Sequence, residues 1–297
     1  MNETVKAHIL ATIATILISG SFLASLKLSS FIDPISLTLL RFIMALLILS
    51  PLIVFNKNKI LSCFKVLPKA MIVSLVYTLY FIGTLKALEF TTVLNTAAIY
   101  TLVPLMTAIL CIFFFKEKIG INQIFIYILG MLSTCIVVFK ADLNLLLSLS
   151  LNKGDVIFLL ASFSMSLYPI FIKLLYSKKD DLIALVFATL IGGIIWMTLT
   201  IELLNIPYEW DKIDSSHLNY IIYLVVGTTV ITLFLYQKAT LLLGAKKIMA
   251  YTYLNPAFVA IIMFIFEEET ISFGVLAGVL LSIFVTIIIL KQNRKEI

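Results

Sequence analysis

Charge is scarce in this sequence. Over 297 residues only 13% are Asp, Glu, Lys or Arg, about half the share found in water-soluble globular domains, so water is excluded as the main solvent. Arginine is scarcer still. Only Arg41 and Arg294 are arginines, and the net charge of +6 lacks the clustering on one accessible face that a nucleic-acid partner requires. The three cysteines, Cys63, Cys111 and Cys135, are an odd number without metal-ligand spacing, which predicts neither a disulfide nor a metal site. Histidine occurs only at His8 and His217, and no phosphate-cradling glycine loop is present. A membrane-embedded enzyme, needing clustered His, Asp, Cys or Ser/Lys groups at one depth, therefore finds little support. The first apolar stretch starts near Ala7 and lacks a small-residue cleavage signature, so it is expected to be retained as a helix.

Long apolar runs are what the chain has in abundance, with 62% hydrophobic residues. A helix crossing the hydrocarbon core needs about 20 apolar residues, because every backbone polar group must be satisfied inside the segment. Ten windows qualify: residues 7–27, 34–55, 67–88, 92–115, 121–139, 156–176, 182–203, 218–240, 248–266 and 271–290. The longest connections, 140–153 and 205–217, are too small for a soluble domain. Alternate connections gather the cations: Lys57, Lys59, Lys65 and Lys69; Lys116 and Lys118; Lys178 and Lys179; Lys246 and Lys247; then Lys291, Arg294 and Lys295. The others carry Asp33, Glu89, Asp142, Glu209, Asp211, Asp214, Glu267, Glu268 and Glu269. Short basic connections stay cytoplasmic, so both termini are expected inside a cell membrane (inner or plasma). A span count wrong by one would swap the two sets partway along the chain, and no swap occurs.

Laying residues 86–117 over 238–269 without a gap aligns Lys86-Ala87 with Lys238-Ala239, Ala98 with Ala250, Leu102 with Leu254, Pro104 with Pro256, Ala108 with Ala260, Ile109 with Ile261 and Glu117 with Glu269. This register marks an internal duplication, residues 1–140 and 154–297. Each copy holds five spans, an odd number, so the second enters the membrane from the opposite side. Such inverted repeats place a site near the midplane and open it alternately to each face. The expected fold is all-α and integral to the membrane: ten transmembrane helices as two inverted five-helix repeats around a shared pocket.

The residues themselves are familiar in their order and spacing. They are Gly20-Ser21-Phe22 with Lys27, Asp33-Pro34 leading to Arg41-Phe42, and Ala97-Ala98 through Pro104 to Glu117 with Gly130 beyond. The second copy reads Gly227, Gly244-Ala245, Pro256-Ala257, Glu269 and Gly278. In these features the chain resembles the drug/metabolite transporter superfamily, specifically its EamA-type ten-helix branch. It departs from that pattern at Ser19, where the family often has Trp, and in the shorter interval from Glu269 to Gly278. The resemblance implies an inward-facing cavity lined by spans one, three, four, six, eight and nine, with spans five and ten peripheral.

Arg41 lies about two turns inside the second span, where a cation faces the bundle interior rather than lipid; solute contact competes with a structural ion-pair or carbonyl role. Tyr80, Tyr100, Tyr168, Tyr236 and Tyr253, with Tyr77 and Tyr251, could cage an amphipathic or cationic solute or form interfacial belts. Asn95 and Asn255 are candidate cavity amides. Pro104, Pro169 and Pro256 are expected to interrupt spans four, six and nine, with gating assigned to Pro104 and Pro256 because the repeat duplicates them. No Asp or Glu sits near the middle of a span, so proton coupling is not expected. The function expected is secondary transport of a small organic metabolite, an amino acid or an amphipathic or cationic compound, by alternating access. No cofactor or metal is called for. The expected partners are the small-molecule solute and the lipid bilayer, not nucleic acid, with the chain a monomer or homodimer. The competing readings are a non-transporting scaffold with a dry, closed interior and a membrane-embedded enzyme.

Overall fold

A computed structural model describes residues 2–28, 31–149, 151–268 and 270–292; Glu269, Arg294 and Lys295 lie outside the described residues. Among the described residues, 10 helices are long and apolar enough to cross a membrane. The first three are α1 (Glu3–Leu28), α2 (Pro34–Val54) and α3 (Lys57–Leu88). The fourth span is made of two pieces, α4 (Val93–Tyr100) and α5 (Val103–Phe115), and is followed by α6 (Ile121–Val138), the short α7 (Leu143–Leu147), α8 (Lys153–Leu175) and α9 (Leu182–Leu204). Span eight begins as α10 (Leu218–Ile222), passes through a π-helical stretch (Tyr223–Ile231) and ends as α11 (Thr232–Leu243). Span nine joins α12 (Ala245–Ala250) to α13 (Asn255–Phe266) through a 3₁₀ turn (Tyr251–Leu254), and α14 (Phe273–Lys291) completes the bundle.

Polar residues at the span ends start the helices. Asp33 accepts hydrogen bonds from the Ile35 and Ser36 amides at 2.8 and 3.1 Å, with Pro34 opening α2 as an imino acid can. Asn56, Asp181 and Ser272 cap α3, α9 and α14 in the same way. Pro104 and Pro256 open α5 and α13 just past the two breaks, so the duplicated prolines mark equivalent interruptions in spans four and nine. Pro169 departs from expectation: α8 runs through it unbroken. In the turn before it, Thr107 Oγ1 of α5 donates to the Ser166 carbonyl at 3.3 Å, the kind of neighbouring-helix support that lets a membrane helix keep a proline.

The packing repeats itself when the two halves of the chain are exchanged. The counterpart pairs α2 with α9 and α6 with α14 pack on each other, α1 lies along α11 as α8 lies along α3, and α1 meets α13 as α8 meets α4 and α5. The halves thus interleave rather than standing side by side as two bundles. Small residues allow the closest approaches. A Cβ on Gly83 would sit 2.7 Å from the Ala161 Cβ, one on Gly192 2.1 Å from Ser74 Oγ, and one on Gly278 2.8 Å from the Ile136 side chain. The main core draws on α1, α2, α3, α8, α9 and α11. A smaller one around Tyr127, Tyr253, Val285 and Ile289 ties α6 and α14 to span nine, which leaves spans five and ten at the periphery. Large apolar side chains point outward, Phe55 at 88% and Phe273 at 87% exposure, as lipid-facing surfaces do and water-facing ones rarely do.

Bonds between span ends sort them into the two faces that charge alternation marks out. On the lysine-rich face Lys69 Nζ pairs with Asp180 Oδ2 and Lys246 Nζ with Glu117 Oε2, both at 2.6 Å, and His8 Nδ1 meets the Tyr251 hydroxyl at 2.8 Å. Burial pushes the Asp180 carboxyl up, but Lys69 and the Ser177 amide outweigh it and hold Asp180 below the usual carboxylate value. On the acidic face the Asp33 amide donates to Glu209 Oε2 at 3.1 Å, Trp210 Nε1 donates to Ser36 Oγ at 2.8 Å, and Lys27 pairs with Glu267 at 3.4 Å. His217 lies on this face against Phe31, so the two histidines are separated by the bilayer.

A Gly192→Val substitution drives a side chain into Ser74 and is expected to lower stability by about 1–3 kcal/mol. Thermal unfolding in detergent checks this, and Ser74→Gly in the same chain should restore part of the loss.

Candidate functional site

Arg41 is set by its neighbour in sequence. Phe42 packs against Gly193 of α9 and stacks on Tyr77 of α3 at 6.2 Å, fixing this turn of α2 so that Arg41 points across to the π-helical stretch of span eight. There Nη2 donates to Thr228 Oγ1 at 3.1 Å and to Thr229 Oγ1 at 3.3 Å, and Nε reaches Thr229 Oγ1 at 3.4 Å. Both hydroxyls in turn donate to the Leu224 carbonyl, at 2.9 and 2.8 Å, which leaves their lone pairs free for the guanidinium. Arg41 is only 8% exposed, and among the described residues no carboxylate pairs with it. Burying such a charge against neutral partners alone costs several kcal/mol, so its retention calls for an explanation.

Beside it lies a cluster of tyrosines from four spans. Tyr77 of α3 stacks on Tyr168 of α8 at 4.8 Å, and Tyr168 on Tyr236 of α11 at 5.9 Å. Tyr80 of α3 meets Tyr100 of α4 at 5.7 Å, and Tyr100 meets Phe158 of α8 at 6.4 Å. Tyr236 is anchored by donating to Met249 Sδ at 3.2 Å, and Gln237 donates to Thr189 Oγ1 at 3.3 Å. The Tyr168 hydroxyl and Gln237 Oε1 are both buried without a hydrogen-bond partner among the described residues. A buried polar atom left in this state costs about 1–3 kcal/mol and marks a place where a guest group fits.

The exchange symmetry fails in one respect. On the lysine-rich face α5 packs on α12, and α8 packs on both α11 and α12, with Leu243, Ala245, Ile248, Met249, Ala250 and Tyr251 all buried. The equivalent contacts on the acidic face, α4 against α13 and α1 against α3 and α4, are not closely made among the described residues. Residues 80–86 of α3, 97–100 of α4 and 258–263 of α13 each keep partial exposure at every position. A helix tucked into a dry bundle would show at least one buried stripe there. The interior is therefore sealed toward the lysine-rich face and splayed toward the acidic one. A separate shallow cleft at the lysine-rich face, lined by Glu117, Tyr127, Lys246 and Lys247 among others, lies away from the central tyrosine cluster.

Of the residues singled out in the sequence, Arg41, Tyr80, Tyr100, Tyr168 and Tyr236 come together here. Asn95 does not join them: its amide donates to both Asp155 oxygens at 3.2 and 3.1 Å, closing a network with Thr91 and Asn152 at the acidic end of α8. The Tyr253 hydroxyl donates to the Tyr127 carbonyl at 3.0 Å, and its ring fills the notch over Gly130, on the far side of span nine. Asn255 sits where α1 crosses span nine, its side chain and carbonyl both within reach of Ser19 Oγ at 3.4 and 3.3 Å. Pro104 and Pro256 lie at the two helix breaks. Sequence reasoning missed Thr228 and Thr229; a Gly-Thr-Thr run inside an apolar span was the available signal.

Comparisons with known proteins agree with this architecture. A solved crystal structure superposes with a TM-score of 0.75 over 95% of each chain at 15% identity, a likeness in fold alone. The chain is 30% identical over 169 residues to a Bacillus subtilis protein named as the uncharacterized transporter YdfC, a match covering 57% of this chain and 53% of that protein, so it spans about half the length of that relative. The family description "EamA-like transporter family" matches residues 5–139 and again 152–291, and the chain accordingly belongs to the EamA-like transporter family.

Proposed function

We propose that this protein is a secondary transporter that carries a small organic metabolite by alternating access, with residues 1–140 and 154–297 as its two inverted repeats. The observation that carries the reading is the broken symmetry of the bundle. Two interleaved halves repeat each other's packing, yet the end contacts close on one face and part on the other. In an inverted repeat the opposite state, closed on the acidic face and parted on the lysine-rich one, uses the same kinds of contact with the halves exchanged. Assigning the lysine-rich face to the cytoplasm, with both termini inside the cell membrane, makes the present state outward-open. The solute then enters between α1, α3, α4 and α13 and rests on the tyrosine cluster beside Arg41. The Glu117–Lys246 pair and the α5–α12 contact hold the inner end shut, and the breaks that Pro104 and Pro256 follow let the two halves of spans four and nine tilt separately.

The scaffold reading requires a dry interior closed at both ends, which the splayed acidic face does not favour. Among the described residues no group of three His, Cys, Asp or Glu side chains could hold a metal, and the polar interior groups are hydroxyls, an amide and one guanidinium, a set suited to holding a solute.

Purified protein in proteoliposomes should exchange labelled solute across the membrane; no flux for any small organic compound that stabilises the protein would defeat the proposal. Tyr168→Phe removes a hydroxyl that lacks a full partner in the fold, so thermal stability should stay within about 0.5 kcal/mol of the parent or rise, while flux falls several-fold. Cysteines placed at Lys116 and Lys178 should react with an impermeant reagent only from the cytoplasmic side of intact cells; labelling of either from outside would invert or break the topology.

A further inference from the structure

The balance of charge around the tyrosine cluster narrows the class of solute, an inference that rests on reading the cleft as a transport site. The charged side chains buried among the described residues, apart from His217, are Arg41, Asp155 and Asp180. Asp155 and Asp180 lie at opposite ends of the bundle and are each answered, the first by Thr91, Asn95 and Asn152, the second by Lys69. Arg41 stands apart. It has only hydroxyl partners, Thr228 on Nη2 and Thr229 on Nε and Nη2, and among the described residues Nη1 donates to nothing. The Asp and Glu residues within the described spans, Glu3, Asp155 and Glu202, all sit in terminal turns. Nothing in the middle of the bundle can neutralise the guanidinium from within.

We infer that the site takes a small organic anion, a monocarboxylate with a flat apolar body, whose carboxylate sits on Arg41. The geometry assigns each part of such a solute a place. Arg41 lies about two turns from the start of α2, on the side of the bundle that is parted, so an anion entering from the acidic face reaches it without crossing the sealed end. Guanidinium and carboxylate are opposite in charge, and Nη1, which the fold leaves unengaged among the described residues, offers its N–H groups to a carboxylate oxygen. The rings of Tyr77, Tyr80 and Tyr100 border the same space and present flat apolar surface to the body of the solute. Beyond them the Tyr168 hydroxyl and Gln237 Oε1, buried and without a full hydrogen bond, would receive a hydroxyl or N–H at its far end. A cation could stack on the tyrosines, but it would stand beside an unneutralised like charge in a poorly screened interior. A zwitterion would leave its ammonium without a carboxylate to meet. The cationic compounds that the sequence allowed are therefore disfavoured, and amino acids rank below simple carboxylic acids of the same shape.

Equilibrium binding tests this without requiring flux. The full-length protein in lipid nanodiscs is titrated at neutral pH with 3-phenylpropionate, 3-phenylpropanamide and 3-phenylpropylammonium, matched in shape and differing in charge, with heat of binding and thermal shift as readouts. The carboxylate is expected to bind at least about tenfold more tightly than the amide, and the ammonium most weakly. Arg41→Gln should bring acid and amide to within about twofold of each other, while Arg41→Lys keeps the preference for the acid at reduced affinity. The acid-to-amide ratio in the unaltered protein decides the matter if Arg41→Gln does not fold. An amide or ammonium that binds as tightly as the acid overturns the inference, as does an undiminished acid preference in Arg41→Gln or no measurable binding of the acid at millimolar concentration. Acid preference without flux would uphold the anion site and refute transport; flux without acid preference would do the opposite.

Discussion

A lipid bilayer offers no hydrogen bonds to a side chain that faces it, and this constraint sorts the whole molecule. Polar groups in the spans must be satisfied by the protein itself or exposed to an aqueous space. Most of the serines and threonines comply locally, donating to a carbonyl three or four residues back, as Thr15 and Ser133 do. Others reach a neighbouring helix, as Thr107 and Tyr253 do, and a remaining set gathers in one place: the guanidinium on α2, the tyrosines of α3, α4, α8 and α11, and the amide of Gln237. The central site is thus the part of the interior where local bonding runs out.

Interleaving of the halves ties that site to both of them. Because α1 packs on span eight and α8 on α3, each half's first helix is seated in the other half, and neither can move without carrying part of its counterpart. The peripheral pair α6 and α14 rests against one another and against span nine, a stable abutment for tilting helices. In the proposed transport cycle, closure of one face and parting of the other would be two settings of one set of contacts, rather than two unrelated shapes.

Ten spans, the sorting of their ends into two faces and the duplicated prolines were legible because each depends on composition or register along the chain, which lipid enforces strongly. Local backbone detail was less so. Pro104 and Pro256 coincide with helix breaks while Pro169 does not, since a proline's effect depends on whether a neighbour such as Thr107 supports the freed turn. Site membership depended on rotational position, which sequence encodes only through partners not yet known. Tyr168 and Tyr253 look alike on paper, yet one stacks in the central cluster and the other fills a notch over Gly130. Asn95 was claimed by Asp155, a residue sixty positions on that a linear reading had no reason to pair with it. The parting of the acidic face was not legible in the residues themselves, because it rests on contacts between helices far apart in sequence.

The π-helical stretch of span eight has a consequence for the site's angular layout. Its wider winding advances each residue through a smaller arc than an α-helix does. Thr228 and Thr229, four and five residues past Leu224, therefore both reach its carbonyl, and their oxygens converge in front of Arg41. One stretch of loosened coil thus lets two successive residues of a single helix build one cradle for a cation.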